Sequence, residues 1–139
     1  MTVQTFYPWR DEYALGIEEV DNQHKILVEL INELYGAVVD KNADEIAKEI
    51  IVKLQNYSLF HFKTEEDYFD MYNYYDKKEH VRSHQNFIAR VGQFQEVAEK
   101  NRPVTFQIVL FLKDWLMKHI LQEDKKYVPF LIKRIPNNN

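Results

Sequence analysis

The chain is 139 residues long, 45% hydrophobic and 29% charged, with a net charge of −4; this is the composition of one ordinary folded domain, too apolar for wholesale disorder and without the basic excess that nucleic acid requires. No apolar run approaches the roughly 20 residues of a membrane span, and Met1 to Arg10 holds no apolar core of signal-peptide length. Cysteine is absent, which excludes disulfides, thiolate metal sites and cysteine nucleophiles.

Three glycines and four prolines leave long uninterrupted stretches, so the elements read as helices. Residues 1–18 show no sustained periodicity and read as an extended arm carrying Phe6, Trp9 and Tyr13. From Glu19 to Val39, apolar residues recur at Ile26, Leu27, Leu30, Ile31, Leu34 and Val38, the spacing of an amphipathic helix with Asp21 as a candidate N-cap. Asp40-Lys41-Asn42 reads as a turn. A second helix, Ala43 to Tyr72, carries Ile46, Ile50, Leu54, Tyr57 and Phe60 or His61 on one stripe, and Asn73 to Asp76 breaks it. A third, Lys77 to Lys100, carries Val81, His84, Phe87, Ile88, Val91 and Phe94. Asn101-Arg102-Pro103 ends it, with Pro103 suited to the first turn of a fourth helix that runs to Gln122. Lys125 to Lys133 reads as a short tail helix interrupted near Pro129, and Asn137–Asn139 as a frayed end. Four such helices with short connections predict a single all-α domain. It is an antiparallel up-down four-helix bundle over residues 19–123, with a tail over 124–139.

All five histidines fall in these helices. His61 and Glu65 are four apart and face one side of the second helix; His80 and His84 repeat that spacing on the third. His24 follows Asp21-Asn22-Gln23 on the first. His119 and Asp124 are five apart on the fourth, a step of about 140° on a regular α-helix, so aiming both inward requires a π-type turn there. Each pair alone is what a solvent-facing helix offers by chance, and His-x-x-x-Glu doubles as a helix-stabilising pair. Together they give every helix of the bundle an imidazole and two helices an inward-capable carboxylate. That nitrogen and oxygen donor set suits iron in a bundle interior.

The set resembles the hemerythrins, specifically the single-domain bacteriohemerythrins. The likeness rests on Asp21-Asn22-Gln23-His24 with Trp9 and Gly16 upstream, and on His61-Phe62-Lys63-Thr64-Glu65-Glu66. It continues through His80-x-x-x-His84 and Trp115-Leu116-x-x-His119-Ile120-x-x-x-Asp124, spanning residues 6 to 130. A Tyr-Pro that the family often has before the third helix is Tyr75-Asp76 here. The resemblance implies an oxo- or hydroxo-bridged pair of iron ions. His80, His84 and His119 would bind one iron, His24 and His61 the other, with Glu65 and Asp124 bridging. One octahedral position would remain vacant, on the two-histidine iron, and would take O2 reversibly as a hydroperoxide. Trp9, Phe62, Trp115, Leu116 and Ile120 would wall that position while also serving as core.

The implied function is O2 storage, delivery or scavenging by a non-haem di-iron protein that is not an enzyme, with NO or a small anion such as azide as other ligands. A histidine-rich set without the Glu-x-x-His motif of ferritin-type oxidases favours reversible binding. An O2-, NO- or redox-sensing module and a di-iron oxidase or peroxidase would use the same site and differ in kinetics. Glu66, about 100° around the helix from Glu65, reads as solvated or as a partner of a basic side chain. Tyr68, Tyr72, Tyr74 and Tyr75 read as packing and loop aromatics. The fourth helix and tail offer no extra apolar face, which predicts a monomer, and the missing export signal predicts the bacterial cytoplasm.

Overall fold

The computed structural model describes residues 6–40, 44–100 and 102–136. A 3-10 turn at Asp11–Tyr13 precedes α1 (Glu18–Val39), α2 (Asp44–Tyr72), α3 (Lys77–Glu99) and α4 (Phe106–Lys118). A π-helical segment, His119–Asp124, continues α4 directly into α5 (Lys125–Leu131). No strand occurs among the described residues. Lys41, Asn42, Ala43, Asn101 and Asn137–Asn139 lie outside them, and with these the greater part of the expected 40–42 turn and the expected frayed end.

The helices alternate in direction. The start of α1 meets the end of α2 where Gln23 faces Thr64, and the end of α2 meets the start of α3 where Phe69 packs on His80. Along α3 and α4 the ring pairs Phe87–Trp115 and Phe94–Phe111 run in opposite sequence order, at centroid separations of 4.2 and 5.6 Å. The chain is therefore an antiparallel four-helix bundle. Its interior away from the histidines is aliphatic, built on Leu34, Ile51, Leu54, Val91, Val109 and Leu112. Burying such side chains is the dominant favourable contribution to folding. No helix among the described residues is long and apolar enough to cross a membrane.

Three local expectations are corrected. Asp21 does not cap α1: it lies inside the helix, and its carboxylate reaches back to accept the backbone N–H groups of Leu15 (2.7 Å) and Gly16 (3.1 Å). Gly16 stands at φ +87°, a left-handed conformation that glycine adopts without a Cβ penalty, and this lets both N–H groups turn toward one carboxylate. Pro103 precedes α4 instead of opening it; Thr105 is the cap, its Oγ1 accepting the Ile108 N–H at 3.4 Å. Pro129 does not interrupt the tail helix, which runs through it to Leu131.

From Phe6 onward the arm is fastened to the bundle. Tyr7 and Asn32 exchange two hydrogen bonds of 2.7 Å, the Asn32 amide pairing with the Tyr7 backbone as a neighbouring strand would. Phe6 stacks on Tyr35 at 4.4 Å, and Tyr7, Tyr13, Leu15 and Ile17 are buried.

Candidate metal centre

The end of the bundle that gathers the start of α1, the end of α2, the start of α3 and the π-helical segment is polar inside. His24, His61, Glu65, His80, His84, His119 and Asp124 converge there, and His80, the most exposed of them, is only 4% accessible. Regular α-helix places His61 with Glu65, and His80 with His84, on common faces. The π-helical segment does the same for His119 and Asp124, as their five-residue step required.

Two groups of donor atoms share the carboxylates. One comprises Glu65, His80, His84, His119 and Asp124; the other comprises His24, His61, Glu65 and Asp124, with the atoms of each group within 4.8 Å of one another. Asp124 is divided between them. Its Oδ1 lies 2.9 Å from His80 Nε2 and 3.0 Å from His119 Nε2, and its Oδ2 lies 3.1 Å from His24 Nε2. Glu65 Oε1 lies 3.1 Å from His84 Nε2 and 3.5 Å from His61 Nε2.

These atoms fit a metal. The inner Nε2 atoms of His24, His61 and His80, Glu65 Oε1 and both Asp124 oxygens are buried without a hydrogen-bond partner, although they nearly touch one another. Buried polar atoms are otherwise almost always paired, so a cluster of such orphans aimed at common points marks a place for cations. His84 Nε2 and His119 Nε2 stand 3.1 Å apart. That is close to the spacing of adjacent octahedral corners around an ion with metal–nitrogen distances of about 2.1 Å.

The outer nitrogens are held by a second set of residues. His84 Nδ1 lies 2.8 Å from Glu66 Oε2, and since a carboxylate only accepts, this contact calls for a proton on Nδ1. His119 Nδ1 lies 3.2 Å from Glu123 Oε2 and 3.4 Å from Ser83 Oγ. His61 Nδ1 donates to Gln23 Oε1 at 2.7 Å. The Gln23 amide is oriented in turn, since its Nε2 donates to Thr64 Oγ1, whose hydroxyl donates to the Phe60 carbonyl. Tyr127 Oη, from α5, donates to Glu65 Oε2 at 2.5 Å.

Charge follows the same layout. Burial, opposed by Glu65, pushes His61 down to about 3 and keeps it neutral. Burial also disfavours the His80 cation, yet Asp124 and Glu65 outweigh it and raise His80 to about 9. Burial would raise Glu65 and Asp124, but the surrounding imidazoles, His61 first and then His119, His80 and His84, hold Glu65 well below the usual carboxylate range. His119 and His24 do the same for Asp124. Burial, then Glu65, pushes the Tyr127 phenol well up.

Of the residues expected to wall the site, Phe62 stacks on His84 (3.9 Å, 7° between planes) and Trp115 on His119 (4.5 Å, 14°). Both cover the three-histidine side. Leu116 and Ile120 are buried on the turns around His119. Trp9 is partly buried against the core, its ring 5.5 Å from that of Tyr13 and 5.6 Å from the Lys25 ammonium. Tyr74 is core, Tyr75 is 72% exposed, and Tyr68 donates to Glu19. Glu66 has an imidazole for its partner. Of the two readings given to Glu66, solvated or partner of a basic side chain, the structure has the second, whereas Glu123, Gln23 and Tyr127 carry no role in the sequence reading. Only Glu123, four residues beyond His119, had a spacing that signals contact. Two surface grooves end on the cluster, one of about 390 Å³ reaching His80 and Glu123, the other of about 740 Å³ reaching His84 and Glu66.

A four-helix bundle enclosing a buried histidine and carboxylate cluster able to hold metal defines a metal-binding bundle protein. Residues 15–131 match the Hemerythrin HHE cation binding domain, and the chain belongs to the hemerythrin family. It is 35% identical over 129 residues to a bacteriohemerythrin of Clostridium acetobutylicum, covering 88% of this chain and 98% of that one. It is 36% identical over 120 residues to a bacteriohemerythrin of Pseudomonas aeruginosa, covering 86% and 78%. A crystal structure of wild-type hemerythrin superposes with a TM-score of 0.85 at 25% identity, over 91% of this chain and 98% of that one.

Proposed function

We propose that the cluster holds two iron ions and that the protein binds O2 reversibly, for storage, delivery or scavenging, as a non-enzymatic cytoplasmic monomer. One observation carries the reading. Asp124 offers one oxygen to His24, at 3.1 Å, and the other to His80 and His119, at 2.9 and 3.0 Å. A carboxylate divided in this way suits a bridge between two ions. His80, His84 and His119 would then hold one ion and His24 and His61 the other, with Glu65 shared between them. Two iron ions so held would supply a reversible two-electron couple and a place for a small ligand such as O2 or, in its place, NO or azide, on the side that has fewer protein donors.

The chain's own residues favour binding over oxidation chemistry. Five imidazoles against two carboxylates differ from the carboxylate-dominated sets of ferritin-type oxidases. Gln23, Glu66 and Glu123 hold outer nitrogens so that the inner lone pairs face the centre. Tyr127 keeps its proton 2.5 Å from Glu65 Oε2 and fixes that carboxylate. Phe62, Trp115, Leu116 and Ile120 pack around His84 and His119 and give that part of the cluster an apolar cover.

The test is optical. Metal-free protein is loaded with Fe(II) under nitrogen, its iron is counted, and O2 is admitted. Two irons per chain and a visible band that appears with O2 and vanishes under vacuum through repeated cycles are expected. His61→Ala and His84→Ala should each lose iron. Unchanged iron in both variants, or none in the parent, would refute the reading. One-way oxidation with peroxide turnover would indicate an oxidase or peroxidase. A change in helix content or association on exposure to O2 or NO would indicate a sensor.

A further inference from the structure

The outer nitrogens of the site histidines are not served alike. On the three-histidine side, two of the three meet carboxylates: His84 meets Glu66 at 2.8 Å, and His119 meets Glu123 at 3.2 Å. On the two-histidine side, His61 meets the neutral amide of Gln23 at 2.7 Å. His24 Nδ1 is buried with no partner among the described residues. A carboxylate accepting from Nδ1–H draws the proton outward and makes Nε2 the stronger donor, and it adds a full negative charge beside the ion; an amide does neither. Both surface grooves also end on the three-histidine side, at His80 and at His84.

We propose that Glu66 and Glu123 make the centre's two halves unequal: the three-histidine half fills first and retains its ion, and the two-histidine half is the labile one. The proposal rests on the two-ion reading above and adds to it the role of these two positioning residues. A third imidazole already favours that half. The carboxylates widen the gap, and they do so on the side where both grooves end. Their contribution is separable from the ligand count, because glutamine at either position reproduces the neutral partner that His61 has.

The experiment is a titration of the metal-free protein with Co(II) under nitrogen, against a competing chelator, reading the cobalt absorption and the bound stoichiometry. The intact chain should bind two ions in two steps at least tenfold apart. Glu66→Gln and Glu123→Gln should each weaken the tight step by about 10- to 100-fold and move the weak step by less than about threefold. His24→Ala should remove the weak step alone. Circular dichroism confirms that each variant keeps its helices, and Glu123→Ala stands in if Glu123→Gln fails to fold. A tight step unmoved in both Glu variants, a single merged step, or loss of the tight step in His24→Ala overturns the asymmetry while leaving the two-ion centre in place. Binding of fewer than two ions by the intact chain overturns the two-ion reading itself.

Discussion

His61 and His80 approach the same Glu65 carboxylate, yet burial takes one imidazole down to about 3 while the carboxylates beside the other raise it to about 9. In the metal-free protein His80 keeps a proton that the unfolded chain releases near pH 6.5. That stabilisation is complete below about pH 6.5 and is lost as pH rises toward 9. His61 acts oppositely: it refuses a proton that the unfolded chain takes, so stability falls as pH drops from about 6.5 toward 3. The metal-free protein should therefore melt highest near neutral pH. Metal affinity should instead climb between about pH 6.5 and 9, because an ion must displace the His80 proton. Thermal melts and Zn(II) competition across that range check both, and an affinity that does not rise with pH would contradict the argument. All seven cluster residues were legible as candidates because their side-chain chemistry and helical spacing declare them. Glu66 was legible only as solvated or paired with some basic side chain; His84 as that partner was not, since the contact crosses from α2 to α3 and one-helix periodicity says nothing about which residues face each other across an interface.

At the level of elements, the π-helical segment behaves as an α-helix with one residue too many. Deleting exposed Gln122 should restore regular α-helix and bring Asp124 to four residues from His119, the same spacing that His61 and Glu65 use. Two-ion capacity and helix content are expected to survive, with thermal stability unchanged or raised; loss of one ion would show that the distortion itself shapes the site. Gly16→Ala probes the arm. At φ +87° the new Cβ has room, with Ile132 Cδ1 3.7 Å away, so the expected cost is backbone strain alone, about 1–2 kcal/mol in chemical denaturation. The π turn was readable beforehand because one helix face had to hold two residues five apart. The misread starts have a physical cause too. An acid before an apolar periodic run suits a cap, but Asp21 spends both oxygens on N–H groups upstream, and Thr105 takes the role given to Pro103.

The whole molecule joins two unlike interiors. One end of the bundle is aliphatic and complete without a ligand; the other is a pocket of orphaned donor atoms. Removing metal with a chelator should therefore lower the melting temperature by on the order of 10 °C, since an ion bound far above its dissociation constant stabilises the native state by a few kcal/mol. Hydrogen exchange should locate the loss at the start of α3, the end of α2 and the π-helical segment, and spare the Phe94–Phe111 layer. Equal loss at both ends would mean that the bundle has no such division. The sequence pattern carried the bundle and its polar end because helical periodicity is a property of single segments. Where Trp9 comes to rest depends on how the arm folds back, which no period encodes.

That resting place has a use. The chain has two tryptophans. Trp115 lies face to face with His119 at 4.5 Å, and Trp9, on the arm, packs on Tyr13 and Lys25. A paramagnetic ion in the cluster would quench the emission of Trp115, whose ring lies on a cluster imidazole, more strongly than that of Trp9, whose ring contacts are with Tyr13 and Lys25. The protein thus carries two built-in fluorophores, one reporting occupancy of its interior and the other the seating of its arm.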